Sequence, residues 1–332
     1  MQGLGGRRRI SSEPPQLKFR LLLLSALLVA GCQGPFGLGG PPSPRDIANK
    51  PSQSAMQDGH FKVDAVMANG ATHTNGSGDG VLVLKGKTGL QLNIQISAGL
   101  LNVGVDLIAV GGKEYKRIGS GAWNVTADAA TPASASHGTP SYVGESQLGS
   151  DKAWHIRSTQ SGTTYDEWVR ESDGYLLKYA WGSDTGTFTM NFDQFNIGAS
   201  VTAPSTKEIA ASQYQALVDP LNTQLSSINS ALSLDATPQN LSSYKTDMAS
   251  YVSLEQQFLG GLAKIDFPTD MQADVQAVVT AEQSLMTVAL RQTQAASWAD
   301  IDSSADAFTN AGTADQAAVM KLRADLGLPL SS

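Results

Sequence analysis

Apolar and polar residues alternate with a period of two from about residue 54 to residue 203. Such alternation is typical of antiparallel strands that have one apolar face and one solvated face. The clearest alternating segments are 61–67, 90–96, 175–181 and 188–192, where every second side chain is apolar. This half of the chain is therefore predicted to form an antiparallel sheet.

Turn residues separate these segments. Gly111-Gly112 and Asp173-Gly174 are strong signals for tight hairpins, because glycine adopts the left-handed backbone conformations that two-residue turns need. The spacing of the turns predicts about nine strands. Residues 126–140 are rich in Ala, Thr and Ser and predict a loop or a short helix that interrupts the sheet.

The period changes to that of an amphipathic helix after Pro204. Four apolar stripes follow with short links between them, which is the pattern of an up-down helical bundle. Asp219 before Pro220 and Thr313 after Gly312 have the pattern of helix caps at breaks. The predicted fold class is α+β, with a β domain at 54–203 and an all-α bundle at 204–332.

A short apolar run precedes both domains. Five basic residues and one acid occupy positions 1–20, and residues 21–30 are apolar apart from Ser25. A ten-residue helix rises only about 15 Å, about half of a hydrocarbon core, and a basic region before such a run is typical of a secretory signal peptide. The run ends in Leu28-Val29-Ala30-Gly31-Cys32, which resembles the lipobox of bacterial lipoproteins.

This resemblance implies a signal peptide at 1–31 and a diacylglyceryl anchor, with acylation such as palmitate, on Cys32. Because Cys32 is the only cysteine, the fold contains no internal disulfide. The alternative is a cleaved secreted protein in which the cysteine is incidental. The Gly-, Pro- and Ser-rich residues 32–53 are predicted to be a lipidated cysteine and a flexible tether.

Charge then restricts the partners. Removal of residues 1–31 leaves 18 Lys and Arg against 29 Asp and Glu, a net charge of −11. Nucleic acids and anionic surfaces are bound by basic patches, so this balance argues against nucleic acid. The expected location is the extracytoplasmic face of the bacterial cell membrane.

The sequence shows no catalytic pattern. It contains no Gly-x-Ser-x-Gly, and its histidines (His60, His73, His137 and His155) have no spacing suited to a metal. The carboxylates Glu145, Asp166, Glu167, Glu171 and Asp173 show no pairing that indicates an acid and a base, and solvated strand edges explain them. We expect no enzyme activity, no metal and no cofactor.

The apolar face of the sheet is the remaining candidate site. It is either a normal packed core or the lining of a pocket for an apolar ligand, and periodicity alone does not separate these readings. The ligand-binding candidates are Phe61, Val63, Ala65, Met67, Leu92, Ile94, Trp168, Tyr175, Leu177, Tyr179, Phe188 and Met190.

Four segments carry a resemblance to a known family: 54–63, the strand after Asp79-Gly80, 105–123 and 154–176. Together they resemble the LppX/LprG-type lipoproteins and, more distantly, the LolA/LolB carriers. The resemblance covers about residues 54–200. It implies an antiparallel half-barrel that shields the acyl chains of a lipid or lipoprotein in the cell envelope.

Two functions follow as expectations. The first is a membrane-anchored lipoprotein that binds or transports a lipid or other hydrophobic ligand in a half-barrel cavity. The second is a structural or interaction lipoprotein with a filled core, whose helical bundle docks an envelope protein partner. A lipid-sized apolar void would favour the first, and a filled core would favour the second.

Overall fold

The computed structural model describes residues 41–69, 72–99, 101–127 and 138–330. It contains one sheet of eleven antiparallel strands followed by four long helices, so the predicted α+β class is confirmed. The sheet is open, with β6 and β7 at its two edges. The strands are β1 (Asp58–Asn69), β2 (Thr72–Val83), β3 (Gly89–Ala98), β4 (Leu101–Val110), β5 (Lys113–Ile118), β6 (Asn124–Ala127), β7 (Ser141–Leu148), β8 (Asp151–Gln160), β9 (Thr163–Arg170), β10 (Leu176–Ser183) and β11 (Gly186–Phe195).

The sheet consists of two consecutive meanders, β1–β6 and β7–β11, which join where β1 pairs with β11. The sequence predicted about nine strands, and the structure has eleven. β6 has four exposed residues and β7 alternates only between exposed and half-buried residues, so neither has the strong apolar alternation of an inner strand. β6 also extends into the segment 126–140 that was predicted as a loop or helix; residues 128–137 lie outside the described residues.

A helix, α1 (Pro44–Gln53), precedes the sheet, so the prediction of a flexible tether over 32–53 is wrong for residues 44–53. Ser43 caps the helix by accepting a hydrogen bond from the Asp46 amide, and Pro44 occupies the first turn, where proline costs no hydrogen bond. Ile47 and Pro51, four residues apart, lie on one face and are buried against the sheet. Composition indicated a linker here, but capping and burial stabilise a helix.

Glycines on β2 allow the sheet to pack closely around its core. Gly76, Gly78 and Gly80 face the same side as Phe61 and Val63 on the neighbouring strand. A Cβ atom at Gly80 would lie 2.5 Å from the Phe61 ring, and one at Gly78 would lie 1.9 Å from the Asn93 carbonyl oxygen. A side chain at Gly78 or Gly80 would therefore displace the backbone of β3 or the aromatic ring.

The bundle consists of α2 (Thr206–Leu234), α3 (Leu241–Leu262), α4 (Gln272–Thr293) and α5 (Trp298–Leu326), so the predicted helical bundle is confirmed. The predicted breaks at Pro220 and Gly312 are wrong, because α2 and α5 continue through them. Residues on both sides of each position pack in the bundle, and such burial outweighs a local cost of about 1 kcal/mol for glycine and about 3 for proline.

The bundle contacts the sheet on the face opposite to the main core. The Trp123 amide donates to the Ser212 hydroxyl of α2 at 3.0 Å. Val201 of the linker and Ile209 of α2 belong to a small outer-face cluster that includes Ile108 of β4, Tyr115 of β5 and Trp123, the residue before β6. Among the described residues, no helix is long and apolar enough to cross a membrane.

Candidate functional site: the inner face of the sheet

We define the inner face as the side of the sheet that carries the main hydrophobic core, and the outer face as its opposite. Strand register places cross-strand partners on the same face. Val63, for example, pairs with Met190 on one side and Gly78 on the other, and Met190 pairs with Tyr179. The inner face is therefore continuous across β1, β10 and β11, and α1 contributes Ile47 to the same core.

The structure brings most of the sequence-predicted ligand residues together on this face. One buried cluster contains Phe61, Val63, Ala65, Leu92, Ile94, Tyr175, Tyr179, Phe188 and Met190. Leu177 is also buried, at a bulge where β10 shifts its register against β9. Met67 is half-buried two positions beyond Ala65, at the end of the same row.

Trp168 is the exception, and its assignment to the apolar face is wrong. Register pairs Trp168 with His155 and Lys178, so it lies on the outer face. Its ring stacks on the His155 ring at a centroid distance of 4.3 Å, and Lys178 Nζ lies 4.6 Å above it. A cation over an indole ring is a favourable electrostatic contact, which stabilises this half-buried side chain without a ligand.

The centre of the inner face is filled by side chains. Phe61 and Met190 are 0% exposed, and Val63 and Leu92 are 1% exposed. The Phe61 and Phe192 rings lie 5.4 Å apart at a tilted angle, which is the arrangement of a packed aromatic pair. Two cavities of the described chain lie in the helical bundle, and neither is lined by a residue of the sheet.

The apolar inner face continues beyond this filled centre towards the hairpin ends and the β5 edge. Ile96 pairs with Val103, and Val105 pairs with Ile118, so these residues share the inner face. Ile118 is 51% exposed and Leu101 is 69% exposed, while the others are half-buried. We call this partly exposed apolar strip the rim; it comprises Met67, Ile96, Leu101, Val103, Val105 and Ile118.

One carboxyl group is buried on the inner face. Glu167 pairs in register with Tyr179 and Ile156, and it is 9% exposed. Burial raises the pKa of Glu167 from 4.5 to about 7. The prediction that Glu167 belongs to a solvated strand edge is therefore wrong. Its spacing of two residues from Tyr165 and Val169, both inward-facing, was the signal in the sequence that placed it inside.

The outer face carries paired charges. His155 Nε2 lies 2.6 Å from Asp166 Oδ1, and Arg157 Nε donates to the same oxygen at 2.8 Å. His60 Nδ1 lies 2.6 Å from Asp193 Oδ1. No group of three or more potential metal ligands occurs within the described part of the chain. Cys32 and His137 lie outside the described residues, and for His73 only the backbone is described.

No family model matches the sequence, and no curated protein does either. The chain is similar to several solved structures, including LprF from Mycobacterium bovis and the lipoprotein LppX from Mycobacterium tuberculosis, one of the proteins that the sequence resembles. LprF is 11% identical over 49% of this chain and all of LprF, with a TM-score of 0.33. LppX is 11% identical over 46% of this chain and 92% of LppX, with a TM-score of 0.32. A putative outer membrane lipoprotein-sorting protein domain from Vibrio parahaemolyticus is 9% identical over 43% of this chain and 87% of that domain, with a TM-score of 0.22.

Proposed function

We propose that this chain is a lipid-anchored, extracytoplasmic lipoprotein that binds an apolar ligand at the rim of its half-barrel. The anchor is the diacylglyceryl group on Cys32, and the ligand is a lipid acyl chain or a molecule of similar chemistry. The protein acts as a binding module in the cell envelope and performs no catalysis.

The partly exposed rim is the observation that supports this binding site. Contiguous apolar surface that stays in contact with water is typical of binding sites, because its burial by a partner is favourable. The rim continues directly into the buried core through Ile94 and Leu92, so a chain lying on it would contact apolar side chains along its length. A ligand that penetrates further must displace packed side chains such as Phe61.

The absence of catalysis is part of the same proposal. The two histidines whose side chains are described, His60 and His155, face outwards and pair with aspartates. Glu167 lies on the inner face among Tyr165, Tyr179 and Ile156. The arrangement supports binding by burial more than it supports chemistry.

A second candidate function is supported by the filled core. In that candidate the sheet is a rigid scaffold, the rim is part of a protein interface, and the helical bundle docks an envelope partner. The same apolar strip serves both candidates. Uptake of an apolar probe therefore distinguishes them.

The anchor gives the first prediction. In Cys32→Ala, diacylglycerol attachment should be lost, because the sequence contains no other thiol. Each buried methylene of an acyl chain contributes about 0.8 kcal/mol to membrane binding, so the variant should leave the membrane fraction or keep its signal peptide. Metabolic labelling with a fatty acid, followed by membrane fractionation, measures both. Label that persists on Cys32→Ala would refute the assignment.

The rim gives the second prediction. The double variant Val103→Gln/Ile118→Gln should reduce uptake of a fluorescent fatty acid by delipidated, anchor-free protein at least tenfold. Its melting temperature should change little, because Ile118 is half exposed and Val103 is only half-buried.

The matched control is Val66→Gln/Val125→Gln, which makes a comparable apolar-to-polar change on the outer face, where these valines are 41% and 42% exposed. The control should bind the probe like the unmodified protein. Equal uptake by the rim and control variants would contradict a site at the rim. If the unmodified protein takes up no probe, the ligand-binding function is contradicted and the second candidate, a scaffold that docks an envelope partner, is favoured.

A further inference from the structure

A half-open cavity of about 240 Å³ lies inside the helical bundle, well away from the inner face of the sheet. Its walls combine apolar and polar side chains, and three carboxyl groups enter it from three different helices: Glu255 from α3, Glu282 from α4 and Asp315 from α5. The cavity is also lined by Tyr214, Val218, Leu221, Tyr251, Phe258 and Arg323.

Two of these carboxyl groups have buried oxygens without hydrogen bonds. Glu282 is 3% exposed, and its Oε2 atom has no hydrogen-bond partner among the described residues. Asp315 Oδ1, which is also buried, has none either. A buried acceptor left without a donor costs about 1–3 kcal/mol, and native proteins contain few of them. Glu282 shares hydrogen bonds with Glu255 and Asp315 inside the cluster, but these two oxygens are left over, and a bound molecule with N–H groups would supply their donor.

The cationic side chain of the cavity does not supply that donor. Arg323 Nε donates to the Pro329 carbonyl oxygen at 2.8 Å, and its guanidinium also hydrogen-bonds Tyr214. No salt bridge joins Arg323 to a carboxylate within the described part of the chain. Three carboxyl groups thus face one arginine whose hydrogen bonds go elsewhere.

The titration of the cluster agrees with this geometry. Burial raises the pKa of Glu255, Glu282 and Asp315, and for Glu282 the neighbouring Glu255 and Asp315 raise it further. The other titratable groups at the cavity are Tyr214, Tyr251 and Arg323. A cation placed between these carboxyl groups would favour their ionised forms, so its binding should release protons.

We propose that this cavity binds a small organic ammonium ion that carries a short aliphatic chain. The ammonium group donates hydrogen bonds to Glu282 and Asp315. Tyr214 and Tyr251 line the same cavity. The aliphatic chain packs against Val218, Leu221 and Phe258.

The size of the cavity and the arrangement of its carboxyl groups favour a small organic ammonium ion over other ligands. Pockets for drug-sized molecules measure about 300–1,000 Å³, so a cavity of 240 Å³ suits a smaller ligand. A metal ion is a poorer match, because Glu255, Glu282 and Asp315 meet in the cavity but, like every other group of acids and histidines in the described residues, are not placed to coordinate one ion together. The apolar part of the wall, formed by residues such as Val218, Leu221 and Phe258, also favours an organic cation over a hydrated inorganic one.

The test is isothermal titration of the full chain, solubilised in detergent, with n-butylammonium at pH 8. The titration is repeated in two buffers of different ionisation enthalpy, so that the number of protons released on binding is measured. We expect saturable binding with proton release. Glu282→Gln and Asp315→Asn should each weaken it at least tenfold, and n-butanol, which has no charge, should bind at least tenfold more weakly than the amine. Circular dichroism confirms that each variant is folded.

The matched control is Asp306→Asn, which removes an exposed carboxylate from the same helix as Asp315 and should leave binding unchanged. Equal loss in Asp306→Asn and Glu282→Gln would show attraction to net charge alone and overturn the site. No binding to the unmodified chain would overturn it as well. Displacement of the amine by micromolar Mn²⁺ or Ca²⁺ would replace the proposal with a metal site.

Discussion

Tryptophan at position 63 should lower the free energy of unfolding by about 3 kcal/mol or more, since overpacking a well-filled core typically costs 1–3 kcal/mol and occasionally exceeds that. Val63 is 1% exposed and lies between Gly78 and Met190, so the indole ring has no free space to enter. Ala65→Trp should act in the same direction. For a chain of this size the melting temperature should fall by at least about 6 °C, as followed by circular dichroism.

Asp64→Trp is the control for Val63→Trp. Asp64 is exposed on the outer face of the same strand, and substitutions at such positions usually change stability by less than about 0.5 kcal/mol. A Val63→Trp variant that melts like the unmodified protein and no longer takes up a fluorescent fatty acid would show that the inner face encloses a void. That result would favour the half-barrel cavity, one of the two alternatives left open by the sequence, and contradict the filled core.

The period of two in the sequence was sufficient to predict which residues of β1, β3 and β11 share a face, whereas in β10 a bulge at Leu177 interrupts it. It was not sufficient for Trp168, because an aromatic residue was assigned to the apolar face by its chemistry. Its position in the alternation places it outside: Glu167 and Val169 on either side of it face inwards. The alternation along the strand is more reliable than the side-chain type, since a cation–π contact with Lys178 and stacking on His155 stabilise a half-buried indole on the outer face.

Tertiary packing explains why the helix breaks predicted from the sequence were wrong. Pro220 and Gly312 are local signals for breaks, and both lie within continuous helices. Propensity is a weak prior that burial on both sides of a residue overrides. In the opposite case, α1 was hidden by the surrounding Gly and Pro residues, and only Ile47 and Pro51 indicate a buried face.

The periodicity of the sequence could not predict whether side chains fill the core. An apolar face has the same alternation whether a ligand, a helix or the other half of the sheet covers it. The deciding features are three-dimensional: α1 covers part of the inner face, and the missing side chain at Gly80 on β2 leaves room for the Phe61 ring. For the same reason the candidate ligand surface moves from the centre of the face to the rim.

The buried acids show how such residues can be found. Glu255 lies four residues after Tyr251 and three before Phe258, and Glu282 lies four after Val278 and three before Leu285. Both therefore fall within the apolar stripes of their helices. An acid is a candidate for a perturbed pKa when it lies in the apolar stripe of a helix or at an inward-facing position of a strand. Its distance from other acids in the sequence does not matter for this.

Glu167→Gln should remove a pH dependence of stability that the unmodified protein shows between about pH 4.5 and 7. Burial raises the pKa of Glu167 to about 7, so the folded state keeps a proton that the unfolded state has already lost near pH 4.5. Because the folded state binds more protons in this window, the free energy of unfolding falls as the pH rises. The loss amounts to about 3 kcal/mol above pH 7, at 1.36 kcal/mol for each pKa unit.

The measurement is urea unfolding of both proteins from pH 4.5 to pH 8. The difference in unfolding free energy between Glu167→Gln and the unmodified protein should shift in favour of the variant by about 3 kcal/mol across this range. Taking the difference cancels other titrating groups, including the acids of the bundle. Glu145→Gln, at an exposed position on β7, should show no such shift. A constant difference for Glu167→Gln would mean that Glu167 is ionised in the folded protein at neutral pH, and the inner face would then have to be more hydrated than its packing indicates.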